Sequence, residues 1–163
     1  MILLETGVLI RHLRRREGFA PIHPYTAEIR RLAKLRAVVG IPGMALQEVL
    51  AGATDDANSE RWAGQLRAAA PTIAATEEEW ELAGRLSSFC RRKGVTTGAP
   101  DALMAAQSLA RDAPLFAEDG DYAHIHGVFP LLRLHRCGDV PDEVVGGVMT
   151  LDPRGFSDGR PVA

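Results

Sequence analysis

Residues 99–122 read APDALMAAQSLARDAPLFAEDGDY, and this stretch decides the fold. Pro100 suits the first helical position, where a missing N–H costs nothing. Asp101 then falls in the first turn, where the helix dipole favours a carboxylate. Leu103, Met104, Ala106, Gln107, Leu109 and Ala110 follow with helical spacing, and the alanines suit tight packing. Asp112 and Pro114 stop the helix. The apolar run Pro114-Leu115-Phe116-Ala117 reads as a short buried strand, and Glu118, Asp119, Gly120 and Asp121 come straight after it. One acid thus opens a helix while others end a strand. In a parallel α/β sheet those two places share an edge, and ligands bind there.

Working outward, the rest of the chain supplies more strands and helices in alternation. Ile2-Leu3-Leu4 is an all-apolar start of the kind buried parallel strands have, with Glu5 at its end. Val8, Leu9, Ile10 and Leu13 mark a short helix, and 18–24 a loop. An amphipathic helix is expected over 26–36 and a strand over 37–41. Pro42-Gly43 punctuates that strand, and helices follow over 44–53 and 57–70. A short third strand is expected at 72–75. Thr76 and Glu79 form a capping box ahead of the next helix. Trp80, Ala83, Leu86, Phe89 and Cys90 recur at helical spacing, so Trp80 is expected in the core; Gly94 closes the segment. A short helix near Ala123 and a last strand over 130–134 complete the body. The pattern predicts a three-layer α/β/α domain with a mainly parallel sheet over residues 1–137. From Gly138 to Ala163 glycine and proline rise, and an irregular tail is expected.

The 163 residues, 46% hydrophobic and 25% charged, suit one globular domain. No apolar run approaches the roughly 20 residues that span a bilayer. The apolar start MILLETGVLI precedes its arginines, the reverse of a signal peptide, so a cytoplasmic protein is expected. Cys90 and Cys137 have no metal or disulfide spacing and read as reduced thiols. Neither G-x-G-x-x-G after the first strand nor G-x-x-x-x-G-K-[ST] is present, which removes support for dinucleotide and P-loop readings.

Glu5, Glu48, Asp101, Asp119 and Asp121 all stand where one sheet edge could gather them. Glu48 joins the set because it lies one turn beyond Met44 on the helix that follows the second strand. The net charge is −2; with these five set aside the remainder is +3. Residues 1–50 carry eight Arg or Lys against four Glu. A negative pocket in a mildly basic surface suits a metal-dependent enzyme acting on a polyanion, although the same arginines also read as solvated helix faces. Crowded carboxylates raise one another's pKa, and hard cations such as Mg²⁺ or Mn²⁺ relieve that. His124 and His126 alternate in a way that suggests zinc, but no further clustered ligands accompany them. His12, His23 and His135 have no assigned role.

Three pieces, MILLETGVLI, GIPGMALQEVLAG and APDALMAAQSLARDAPLFAEDGDYAHI, together resemble the PIN-domain family, in particular the toxin nucleases of bacterial VapBC-type pairs. The resemblance spans about residues 1–136. It implies a metal-dependent endoribonuclease whose acidic quartet falls on Glu5, Glu48, Asp101 and Asp119. Mg²⁺ or Mn²⁺ would be held by Glu5, Asp101 and Asp119, with Asp121 as an auxiliary ligand. It also implies RNA as substrate, a small antitoxin as partner and a homodimer. The chain departs from the family pattern at Glu5 (usually Asp), at Gly7 (usually Ser or Asn) and at Ala117 (often Thr or Ser). A PIN-fold module that binds RNA or an antitoxin without cutting is therefore the alternative. A receiver-like domain, which needs paired acids after the first strand and a late lysine, and a structural α/β domain with unrelated acids are the remaining readings.

Overall fold

A computed structural model describes residues 1–14 and 22–141. The expected tail beyond 141 and most of the 18–24 loop lie outside the described residues. Four strands, β1 (Ile2–Leu4), β2 (Val39–Pro42), β3 (Thr72–Ile73) and β4 (Leu115–Phe116), form one parallel sheet in the order β3-β2-β1-β4. Seven helices occur among the described residues: α1 (Thr6–Leu13), α2 (Pro24–Lys34), α3 (Gly43–Ala51), α4 (Asp56–Ala69), α5 (Glu77–Arg92), α6 (Ala99–Ala110) and α7 (Gly120–Val128). Every residue of β1, β2 and β4 is buried, as the middle layer of an α/β/α sandwich requires.

β1 is the centre of the sheet. The Ile2 N–H donates to the Val38 carbonyl at 2.8 Å on one side, and the Leu3 and Glu5 N–H groups donate to Pro114 and Phe116 at 2.9 and 3.0 Å on the other. The chain leaves β1 for β2 and β3, then returns across β1 to form β4. Strand order thus reverses beside β1, and the crevice at that switch point lies outside the carboxyl ends of β1 and β4.

Local chemistry sets the helix ends. Pro24 enters α2 in its first turn, so the helix begins two residues before the expected Thr26. Arg36 and Asp112 adopt left-handed φ values of 53° and 47° just past α2 and α6, which turns the chain toward the next strand. α6 buries an unbroken run from Ala102 to Ser108, which the small alanines allow.

Two expectations are corrected. Trp80 is 52% exposed, not core. α5 turns Glu79, Ala83, Leu86 and Cys90 inward instead. Glu79 is buried because it is fully engaged: its carboxylate accepts from the Thr76 N–H at 2.9 Å, closing the capping box, and from Arg111 of α6 at 2.7 and 3.1 Å. That anchor fixes the rotation of α5 and leaves Trp80, the next residue round, outside. Trp62 on α4 is the buried tryptophan. The expected last strand over 130–134 reduces to a single parallel bridge, Leu134 to Leu115, because the chain turns away at once.

It turns toward α2. His135 Nε2 and Glu28 Oε1 are 2.8 Å apart and both side chains are buried. Arg31 donates to both Glu28 oxygens at 2.6 and 2.8 Å, the Gly138 N–H donates to Oε2 at 3.1 Å, and Arg31 also donates to the Asp139 carbonyl. Burial works against the charge on Glu28, but Arg31, His135 and the Gly138 amide outweigh it and hold its pKa below the usual carboxylate range. Cys90 is buried and Cys137 exposed, both as free thiols. No helix among the described residues is long and apolar enough to cross a membrane.

Two outcomes follow for stability in urea denaturation. Trp62→Ala is expected to cost about 3 kcal/mol or more, and Trp80→Ala about 1 kcal/mol or less. Similar losses for the two would contradict the packing described. Glu28→Ala is expected to cost about 3 kcal/mol at pH 7, because it strands Arg31 and His135. A depressed carboxylate pKa stabilises the fold above the unfolded value near ~4.3 and loses that contribution as pH falls through the folded value. The gap between wild type and Glu28→Ala should therefore narrow below about pH 4.3. A gap that widens there would refute the clamp.

Candidate metal centre

The switch point beside β1 collects the acids. Glu5 leaves β1 as the N-cap of α1, Glu48 rides on α3 after β2, Asp101 opens α6, and Asp119 caps α7 just past β4, with Asp121 in its first turn. Each is placed by an element whose end lies at the carboxyl edge of the sheet.

Tyr122 stands among them. It is fully buried, and its hydroxyl donates to Asp101 Oδ1 at 3.0 Å. Burial first, then the charges of Asp101, Glu5 and Glu48, drive its pKa far above the ordinary phenol value, so it keeps the proton it donates to Asp101. Asp101 is half-buried, and its pKa is raised by burial and by the charges of Asp119, Glu48 and Asp121, against the lowering effect of the Tyr122 bond. Glu5 is raised by burial and by the Asp119 charge, against three backbone amides that lower it. Asp101 thus feels Asp119, Glu48 and Asp121, and Glu5 feels Asp119. That is the signature of a site short of positive charge.

They do not touch as a ready-made cage. Among the described residues no three His, Cys, Asp or Glu side chains are grouped closely enough to hold an ion. Particular hydrogen bonds hold them apart. Glu5 Oε1 accepts from the Gly7 N–H at 2.7 Å, and Oε2 accepts from the Val8 and Glu118 N–H groups at 3.4 Å each. The Thr6 hydroxyl donates to Glu48 Oε2 at 2.6 Å, and the Asp121 N–H donates to Asp119 Oδ1 at 2.9 Å. Asp119 is exposed, whereas Asp101, Glu48 and Asp121 are part-buried. Donor type and charge fit a hard divalent cation: every candidate donor is a carboxylate oxygen, and Glu5 and Asp101, raised in pKa first by burial and then by neighbouring carboxylates, are short of positive charge.

Sequence reasoning missed three contributors. Thr6 and Tyr122 each neighbour a named acid in the chain, which was the available signal. Glu118 carries its backbone N–H to Glu5, and its side chain accepts from Arg11 Nε at the rim. The histidines stand apart from any zinc reading: His126 Nδ1 lies 2.7 Å from the Leu132 carbonyl, and His124 is 3.7 Å from Asp121.

Known proteins agree on the architecture. The chain is similar to VapBC2 from Rickettsia felis bound to a DNA fragment from its promoter, with a TM-score of 0.67 and 20% identity over 83% of this chain and 98% of that one. It is also similar to FitAB bound to an IR36 DNA fragment (0.61, 18%, 77% and 90%). FitAcB from Neisseria gonorrhoeae is comparable (0.60, 17%, 77% and 93%). Identities this low carry the fold alone. No curated protein sequence matches the chain. The family model for the PIN domain matches residues 2–128, which takes in all four strands and all five acids, and the chain belongs to the PIN-domain family.

Proposed function

We propose that this protein is a divalent-metal-dependent endoribonuclease and the toxin of a type II toxin–antitoxin pair. The observation that carries the reading is Asp101, its carboxylate oriented by a buried phenol at the switch point of the sheet and its pKa raised first by burial and then by three other carboxylates. PIN domains are typically nucleases, and the similar structures are two-component complexes.

Glu5, Asp101 and Asp119 would hold Mg²⁺ or Mn²⁺, with Asp121 as an auxiliary. Glu48, fixed by the Thr6 hydroxyl, orients the attacking water and accepts its proton. When bound, the ion supplies neutralisation of the scissile phosphate and acidification of that water. Arg11 sits at the rim, paired with Glu118 and half exposed, where exchange of that pair for a phosphate holds the RNA backbone. The N-terminal arginines are not all available for this role: Arg31 belongs to the Glu28 clamp, and Arg14 donates to the Gly52 carbonyl at 2.7 Å.

One observation favours a second reading, a PIN-fold module that binds RNA or an antitoxin without cleavage. Both oxygens of Glu5 are engaged by backbone amides, so the longer side chain serves as a helix cap. Cleavage requires Glu5 to leave at least part of that cap.

Wild type is expected to cleave RNA with Mn²⁺ or Mg²⁺ and to stop on chelation. Glu5→Asp is expected to raise cleavage about tenfold, because a displacement near ~1 Å can cost up to ~100-fold. Asp101→Asn is expected to lower it by more than about 100-fold. Equal rates in wild type and Asp101→Asn, prepared identically, would expose a contaminating nuclease and sink the catalytic reading. Inactivity of both wild type and Glu5→Asp would favour the binding module. For the partner, co-expression with the product of the adjacent upstream reading frame is expected to yield two copies of this chain with two antitoxins in size-exclusion chromatography. Elution as an unbound monomer counts against the pair.

A further inference from the structure

Asp101 is gripped from two sides, and only one grip is a hydrogen bond. Tyr122 donates to Oδ1 at 3.0 Å. Oδ2 lies over Gly98, where a Cβ would stand 2.8 Å from Oδ2 and 3.7 Å from Cγ. Real Cβ atoms essentially never come that close to an oxygen, so any side chain at position 98 must push the carboxylate away.

The backbone does not ask for glycine there. Gly98 is the N-cap of α6 with φ −65° and ψ 153°, a conformation open to every residue. N-caps favour Ser, Thr, Asp and Asn, whose side chains satisfy the first amides of the helix, with glycine close behind and alanine far below. α6 has no side-chain cap at all. A side chain that capped the helix from this position would have to share its space with the carboxylate of Asp101.

The phenol is just as particular. Tyr122 is completely buried, yet its hydroxyl has Asp101 as its carboxylate partner and Met104 Sδ at 3.9 Å as its other neighbour. Phenylalanine would fill the same space without placing a polar atom among repelling acids.

We propose that Gly98 and Tyr122 are positioning residues that lock the Asp101 carboxylate in one orientation for a divalent cation, Gly98 by leaving room and Tyr122 by donating. This rests on the metal-nuclease reading above. The two act on opposite oxygens: a side chain at 98 displaces the carboxylate and loss of the Tyr122 hydroxyl releases it, in neither case removing its charge.

The test compares wild type, Gly98→Ala, Tyr122→Phe and Asp101→Asn for Mn²⁺ affinity, read by electron paramagnetic resonance of free Mn²⁺, and for thermal midpoint without metal. Gly98→Ala is expected to lower the metal-free midpoint slightly, because alanine is a poorer N-cap than glycine. Its Mn²⁺ affinity is expected to fall about tenfold, the lower end for losing a group that orients a ligand. Tyr122→Phe is expected to weaken Mn²⁺ by a similar factor, and Asp101→Asn by more than either. Loss of Mn²⁺ binding in Asp101→Asn with wild-type affinity in both Gly98→Ala and Tyr122→Phe would overturn the positioning roles and leave the metal site standing. Unchanged affinity in Gly98→Ala, at whatever midpoint, would make Gly98 a helix cap alone and overturn its part. Wild type that binds no Mn²⁺ would overturn the underlying reading together with this one.

Discussion

The pairing of β1 between β2 and β4 is the constraint on which the molecule depends. Three apolar residues, Ile2 to Leu4, sit between two parallel neighbours and are covered on both faces. A parallel strand so placed must send the chain away through helices on either side, and all of its neighbours finish at the same edge. The first residue past β1 is Glu5, and the residues just past β4 are Glu118 and Asp119. Backbone hydrogen bonding, not attraction among side chains, gathers these acids. Repulsion among them is tolerated because the buried sheet holds the edge together.

That repulsion is managed by uncharged donors. Glu5 draws on the Gly7, Val8 and Glu118 amides, Glu48 on the Thr6 hydroxyl, Asp101 on the Tyr122 hydroxyl, and Asp119 on the Asp121 amide. Hydrogen bonds to a charged acceptor are roughly twice as strong as neutral ones, so this set carries real weight. It leaves the pocket net negative, with Glu5 and Asp101 still raised in pKa. The hydrogen bonds orient the carboxylates while the missing charge remains to be supplied by whatever binds.

Glu5 and Gly7 fit each other at the start of α1. The extra methylene of Glu5 lets its carboxylate fold back over the start of α1. A Cβ at position 7 would stand 3.1 Å from Oε2 and 3.5 Å from Glu118 Cβ. With a side chain at 7, the carboxylate would have to give way. Glycine at 7 therefore accommodates the longer acid at 5, and the two form one local solution to capping α1 beside the pocket. The opposite end of the sheet shows the same economy of means in the Glu28 clamp, where one buried carboxylate joins α2 to the segment after Leu134.

Local pattern by itself determined the alternation of strands and helices, the parallel sheet, the capping box at Thr76 and Glu79, the helix opened by Asp101, and the edge on which the five acids stand. These are short-range properties: apolar period, Pro and Gly placement, and the order of elements. Tertiary structure decided what depends on rotation and contact. The helical spacing of Trp80 with Ala83 was compatible with burial, but Arg111, 32 residues from Glu79, set the face that α5 turns inward. The apolar run 130–134 was compatible with a strand, but the His135–Glu28 contact, 107 residues apart, takes the chain away after one bridge. The elements that carry the acids were legible, whereas the donors that hold their carboxylates were not. Thr6 reaches Glu48 and Tyr122 reaches Asp101 only after folding brings residues 42 and 21 positions apart within hydrogen-bond range, and no local periodicity encodes that approach.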